Sequence, residues 1–478
     1  MNPLTMAEAG VAGDVRVFDS PDAPADPAAL MLLYAGVADA DLAAPAAVLP
    51  DFHLKGDKEM PSSIAVATTD TIRPTMTCCS LNCGMGLVAL DIERPEARHI
   101  AKFYDGVRER MPYPPSYRPR LTREEVIRCA TEGAEFAVDR FGVDPAELER
   151  MEEGGRLDIE RYGGVDRVRR ELPWTVQQLS RLRFATIGPS NHFIELQQVE
   201  EILDPEAAAL LGVRDGQVTL QIHGGGGALA GELGVLFGRR KRFPKAMRVQ
   251  MAFQKPLYHM QGVRSLADLN LRRKLYFSGG CPPVDRDGVE GERLMLSTVL
   301  AMNYGFAFRA AVYSILGELL RQSFGARESR LVVDSPHNTI YEEEIDGQSA
   351  VVHRHNAARA YPAARMEDHS VFSKTGQALL LPGTNRTSSY LCVAGDGAGA
   401  STYSVSHGAG TNIKHFADQG LSQLDPEGRK TLRFRYSQPE PCEVQQLDDN
   451  GVDDVLDVLA AGDIVRPVAR MRPFAVLN

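Results

Sequence analysis

Thr402-Tyr403-Ser404-Val405-Ser406-His407-Gly408-Ala409-Gly410 alternates strand-forming residues, ends the alternation on a histidine, and follows it at once with small residues. The pattern predicts a short β-strand that presents the His407 imidazole at its end, where backbone or a ligand can approach closely. The same arrangement recurs. Val218, Leu220 and Ile222 alternate with polar residues and lead into His223 and four glycines. Arg330-Leu331-Val332-Val333-Asp334 reads as a buried strand running into Ser335-Pro336-His337-Asn338. Gly188-Pro189-Ser190-Asn191-His192 interrupts a strand-like pattern between Phe184 and Val199, and Cys83 occupies a Gly-flanked turn ahead of the strand Leu87-Val88-Ala89-Leu90. A lone strand-end histidine is more often a hydrogen-bonded structural residue. Four of them with a cysteine make a shared chemical role worth weighing.

The rest of the chain sets the frame. Its 478 residues suffice for a large core, and 44% hydrophobic with 24% charged residues is ordinary for a globular protein. The net charge of −10 argues against a broad cationic surface, though local basic runs such as Gly238-Arg239-Arg240-Lys241-Arg242 occur. Seven cysteines without regular spacing fit a reducing compartment rather than a disulfide framework. No apolar run of transmembrane length and no signal-peptide pattern stand out, so the cytoplasm is the expected location and no membrane is expected as a partner.

Residues 1–47 are rich in Ala, Asp and Pro and read as an N-terminal extension, partly mobile, with a helix possible from Ala28 to Ala43. Residues 113–175 read as a helical insert: Thr122 and Glu125 form a capping box, and Asp144-Pro145 starts a helix that stops at Gly154-Gly155. Glu290 to Phe324 is a long helix or a broken pair. Val452 to Leu459 marks a last helix, ended by Gly462 before a closing strand. Strands and helices mix without regular βαβ alternation, so a doubly wound sheet is not expected.

Thiolate and imidazole are good ligands for divalent transition metals. Cys83, His192, His223, His337 and His407 are therefore metal candidates by residue type, although eleven histidines will place some at strand ends by chance.

At this point the chain resembles the RtcB-type RNA ligases, from about Val48 to the C-terminus. The motifs that carry the resemblance are Pro50-Asp51-Phe52-His53, Leu81-Asn82-Cys83-Gly84, Gly188 to Glu195, His223 with its glycines, and Ala301-Met302-Asn303-Tyr304. They continue in family order through Asp334-Ser335-Pro336-His337-Asn338, Val352-His353-Arg354, Arg359-Ala360-Tyr361-Pro362, Leu381-Pro382-Gly383, Thr387-Ser388-Ser389-Tyr390, His407-Gly408-Ala409-Gly410 and Val468 to Pro473. The resemblance implies one large α+β domain over 48–478, with central strands, outer helices and the active cleft where strand ends converge. It implies a ligase that joins an RNA 3′-phosphate or 2′,3′-cyclic phosphate to a 5′-hydroxyl, using GTP and one or two manganese ions. Cys83, His192 and His223 match the ligands of one ion, and Cys83 with His337 part of a second shell. His407 matches the residue that attacks the GTP α-phosphate and carries GMP. Asn191, Glu195, Asn338, Ser389, Ala409 and Gly410 match positions around the guanylate. RNA ends, GTP and an activating protein are the implied partners. By ligand type alone zinc fits at least as well as manganese.

The chain also departs from that pattern. Ser80 stands where the family has an aspartate three residues before the metal cysteine. Gly227 and Thr411 replace arginines, Asn478 and His355 replace lysines, and Arg386 replaces a glycine. Arg386, Lys414 and His415 are candidate substitutes for the missing cations. Competing readings follow: a degenerate ligase that binds metal, nucleotide or RNA ends without joining them; a metal-dependent enzyme acting on another phosphate-bearing substrate; and a loose dinucleotide fingerprint, Gly225-x-Gly227-x-x-Ala230. Cys78 and Cys79 read as small buried hydrophobes, Asn303 as locally hydrogen-bonded, and Trp174 as packing of the insert.

Overall fold

The computed structural model describes residues 14–478, apart from residues 57, 78, 116–117, 189–190 and 239–244, and apart from the side chains of 245–247. The expectations for Cys78, for Pro189-Ser190, for residues 1–13 and for the basic run 239–242 lie outside the described residues. The rest is an α+β fold around two sheets.

The larger sheet has nine strands. Along its main path Ala378–Leu381, Ser389–Ala394, Val465–Leu477, Phe193–Ile202, Val218–Gly224, Gly84–Leu90 and Ser329–Pro336 lie side by side, each antiparallel to the next. Ala378–Leu381, Ser389–Ala394 and Gly84–Leu90 are buried on both faces and read as near-continuous apolar runs, whereas Val218–Gly224 is equally buried but alternates apolar with polar residues. The second sheet orders Val15–Val17, Ala46–His53, Ser62–Thr68, Gln348–His355 and Asn338–Ile345. Ser329–Pro336 and Asn338–Ile345 meet at His337, so the two sheets share a corner there. Ala357–Arg359 pairs with Ser404–Ser406, and the latter delivers His407 to the same corner.

The dinucleotide-fold alternative is corrected by this topology. A helix, Gly227–Phe237, does follow the strand Val218–Gly224. Both neighbours of that strand are antiparallel to it, whereas the fingerprint needs a parallel βαβ unit.

Val289–Phe324 is one unbroken helix of 36 residues rather than a pair. Glu290 and Glu292 in its first turn and Arg321 in its last suit the helix dipole, and Gly325 ends it in a left-handed conformation at φ +70°. Most of it is buried: the helices Gly227–Phe237, Arg123–Glu132 and Ala97–Arg110 pack along it, and its apolar residues join one core with those of the larger sheet. In length and composition it reaches that of a membrane span, which the sequence reading did not anticipate, but 94% of its most apolar window is buried inside the protein.

The segment expected as an insert is largely helical, with the capping box at Thr122 and Glu125 formed on both sides. The helix begun at Asp144-Pro145 closes after one turn at Leu148. Asn303 pairs with the Leu157 main chain rather than locally, its Oδ1 accepting at 2.7 Å and its Nδ2 donating at 2.9 Å. Trp174 is 61% exposed and packs little. Cys79 is buried, as expected of a small hydrophobe.

Candidate metal and nucleotide site

Each predicted ligand is placed by the end of an element. Asn82 adopts φ +53°, a turn that Asn tolerates, and this turn projects Cys83 from the start of Gly84–Leu90. Arg309, in the middle of the long helix, donates from Nη1 to the Asn82 carbonyl at 2.6 Å. The same guanidinium forms a two-pronged ion pair with Asp334 at 2.6 Å per contact, and both side chains are fully buried. Asp334 lies three residues before His337, and the His337 N–H donates to the Cys83 carbonyl at 2.8 Å. Arg309 thereby locks the cysteine turn to the strand that carries His337. A methyl group on Gly84 would lie 2.8 Å from the Arg309 guanidinium carbon, so only glycine fits beside it. Gly86 is constrained in the same way by the Tyr313 hydroxyl, 2.1 Å from where a Cβ would lie.

His223 ends its strand opposite both Met85 and Phe193, and His192 directly precedes the strand that begins at Phe193. Cys83 Sγ lies 3.5 Å from His192 Nε2 and 3.4 Å from His223 Nε2. All three ligand atoms fall within 4.8 Å of one another. A tetrahedral ion holding sulfur at about 2.3 Å and nitrogen at about 2.05 Å sets those atoms about 3.5 Å apart. The donor set therefore fits one shared ion. The Asn191 carbonyl also faces the His223 ring.

His337 stands between this trio and His407. Its ring centre is 5.1 Å from that of His223 and 4.7 Å from that of His407. Burial holds His192 at a pKa of about 4 and His407 at about 3, and pushes His223 and His337 well below the usual histidine value. All four imidazoles are neutral at pH 7, the form needed for metal ligation or nucleophilic attack. The Asn356 carbonyl faces the His407 ring. Among the described residues, His407 Nδ1 has no partner in hydrogen-bond geometry.

A cavity of about 360 Å³ opens in front of His407 and His223. Asn191, Glu195 and Gly410 line it, together with Asp51, His53, Lys55, Thr411 and Asn478. Three of the residues expected around the nucleotide lie behind its walls. Ser389 Oγ accepts from Gln197 Nε2 and from the Gly383 N–H, both at 3.1 Å. Ala409 N–H donates to the Pro382 carbonyl at 3.1 Å, and Asn338 Oδ1 accepts from the Asn356 N–H at 2.9 Å. Asp51 caps the helix Gly410–Asp418 by accepting the Asn412 N–H at 2.7 Å. Burial, opposed only by the Gln197 hydrogen bond, pushes Glu195 up to about 8.

A second cavity of about 290 Å³ reaches His192 as well, lined by Ser80, Arg183, Tyr113 and the Gly225–Gly227 turn. A larger cavity of about 520 Å³ lies around Glu152, Arg359 and His369 and contains none of the predicted site residues.

The replaced positions are built into their surroundings. Gly227 holds φ +77°, and a Cβ there would lie 2.6 Å from the Tyr304 ring, so this backbone has no room for an arginine. Thr411 Oγ1 hydrogen-bonds His53 Nδ1 at 3.2 Å, and Asn478 Oδ1 accepts from Arg433 Nε at 2.8 Å. His355 is buried, and neither ring nitrogen has a partner among the described residues. The expected substitute cations are elsewhere. Arg386 donates to the Gln445 carbonyl, His415 pairs with the Asp22 carbonyl, and Lys414 is exposed on its helix. None of the three lines either cavity.

Sequence reasoning missed Arg309. The signal was present: an arginine inside Phe306-Ala307-Phe308-Arg309-Ala310-Ala311 must be buried, and a buried guanidinium needs a carboxylate.

A family model described as tRNA-splicing ligase RtcB matches residues 35–478. Among curated proteins, a tRNA-splicing ligase RtcB of Thermococcus kodakarensis is 27% identical over 438 residues, 86% of this chain and 82% of that protein. An RNA-splicing ligase RtcB of Mycobacterium bovis is 29% identical over 377 residues, covering 75% of this chain and 77% of that protein. A tRNA-splicing ligase RtcB of Pyrococcus abyssi is 28% identical over 417 residues, 83% of this chain but 42% of the relative, so the chain spans under half of that protein's length.

Proposed function

The chain belongs to the RtcB family, and from that premise we propose that it joins an RNA 3′-phosphate or 2′,3′-cyclic phosphate to a 5′-hydroxyl, with GTP as the nucleotide and His407 as its carrier. The observation that carries this reading is the row Cys83–His192–His223, His337, His407. A metal-ligand trio and a neutral imidazole stand one ring apart at the mouth of a nucleotide-sized cavity.

In this reading a ring nitrogen of His407 attacks the α-phosphorus of GTP. A P–N bond forms, the bond to the β-phosphate oxygen breaks, and pyrophosphate leaves. The ring proton stays on the other nitrogen. His407 needs no deprotonation beforehand, because its pKa of about 3 leaves it neutral over the working range. Cys83, His192 and His223 hold one divalent ion, and Cys83 with His337 offers part of a second shell. Such ions offset the charge that builds on the phosphates. Manganese is the proposed metal from the family, and zinc the alternative from the thiolate-imidazole donor set. We place the protein in the cytoplasm, where thiols such as those of Cys83 and Cys79 stay reduced. RNA ends are the proposed substrate, with an activating protein as a further partner.

Incubation with GTP and manganese should add one acid-labile guanylate to the intact protein by mass spectrometry, and His407→Ala should abolish it. No adduct with manganese, zinc, cobalt or magnesium counts against the reading. A second reading, a homologue that binds metal and nucleotide without ligating, is favoured by the uncharged Ser80, Gly227, Thr411 and Asn478. It predicts bound metal and no adduct.

A further inference from the structure

The cavity in front of His407 must neutralise a chain of phosphates, yet Thr411, which lines it just after the His407 turn, is uncharged and tied to His53. Apart from its histidines, one side chain lining this cavity is cationic among the described residues: Lys55. It lies two residues beyond His53, on the loop that leaves the strand Ala46–His53, and is half-buried. It lines the cavity together with His53, His223 and His407. Asp51, a carboxylate in the same lining, already accepts the Asn412 N–H of the helix it caps. No ion pair engages the Lys55 ammonium among the described residues.

We propose that Lys55 is the phosphate-binding cation of this site, its ammonium meeting the nucleotide's phosphates beside His407. This rests on the nucleotide reading of the cavity given above. A lysine suits the position. Its compact charge on a flexible stem follows the phosphates as pyrophosphate departs, without the fixed fork geometry of arginine. A charge-assisted contact of this kind contributes about 1.5–3 kcal/mol, or roughly 10- to 150-fold in affinity.

The test is titration calorimetry of the full chain with manganese, using GTP and guanosine in parallel, on wild type, Lys55→Ala and Lys55→Arg. Lys55→Ala should weaken GTP binding by about 10-fold or more and leave guanosine binding and the melting temperature unchanged. Lys55→Arg should recover most of the loss. Wild-type affinity for GTP should fall with added salt, and that salt dependence should shrink in Lys55→Ala. Equal GTP affinity in wild type and Lys55→Ala overturns the proposal, as does an equal loss for guanosine. The adduct assay on wild type separates the two claims. GTP binding that depends on Lys55 with no adduct on His407 refutes the ligase reading and leaves the Lys55 assignment standing. Absence of GTP binding in wild type overturns both.

Discussion

Two buried charged residues in this protein have consequences that can be worked out one side chain at a time. Arg309 is fully buried and satisfied by Asp334 and the Asn82 carbonyl. Replacing it with methionine fills similar volume but leaves the Asp334 carboxylate buried and unpaired, which costs about 3–5 kcal/mol. It also frees the Cys83 turn from the His337 strand. Arg309→Met should lower the denaturation midpoint and reduce bound metal per chain, read by urea unfolding and by elemental analysis. Full metal occupancy in a folded Arg309→Met protein would remove Arg309 from the site's support. Glu195 titrates in the opposite sense from most carboxylates. Its folded pKa of about 8 exceeds its ordinary 4.5, so the folded state holds the proton more tightly than the unfolded chain. Its contribution to stability is complete below pH 4.5 and is lost as pH rises through 8. Glu195→Gln mimics the protonated form and keeps an acceptor for Gln197. The variant should therefore melt higher than wild type at pH 9, by on the order of 1–3 °C, and match it at pH 5. A stabilisation equal at both pH values would show that ionisation is not its cause.

At the scale of elements, what the sequence disclosed was local and what it hid was long-range. The strand ends at His223, His337 and His407 are legible because alternation or an apolar run stops at glycine or serine. The capping box at Thr122 is legible because both halves lie within four residues. The long helix was ambiguous because a helix buried over most of its surface has no polar face to mark its period. Trp174 was misjudged as packing because exposure depends on neighbours that no local pattern encodes. The same limit applies to the candidate cations. Lys414 and His415 are close in sequence to His407, yet they do not line its cavity, because the helix Gly410–Asp418 turns its buried face, Asn412, Ile413 and Phe416, toward the core. Arg386 is held by the Gln445 carbonyl instead. Lys55 reaches the cavity from a loop 352 residues earlier. At Gly227 the main chain decides as well: its left-handed conformation and the Tyr304 ring leave no space for a longer side chain.

For the molecule as a whole, the two sheets meet at His337, and two cavities each touch a member of the Cys83–His192–His223 trio. The 360 Å³ cavity holds His223 and His407, and the 290 Å³ cavity holds His192 and Ser80. The trio Cys83, His192 and His223 could hold one ion and leave a position open. A second ion on Cys83 and His337 would lack a carboxylate, since Ser80 offers only a hydroxyl. The wild-type protein should therefore carry one tightly held divalent ion per chain after dialysis. Ser80→Asp adds a negative oxygen ligand at the mouth of the second cavity without altering the Ser80 carbonyl that accepts the Cys83 N–H at 3.3 Å. The ratio should rise toward two, measured by elemental analysis against protein concentration, and nucleotide transfer to His407 should quicken if a second ion serves the phosphates. Two ions in wild type would show that other groups, such as His355 with its unpartnered ring nitrogens, complete the second shell. One ion in both proteins would mean that the corner at His337 is closed to a second metal whatever stands at position 80.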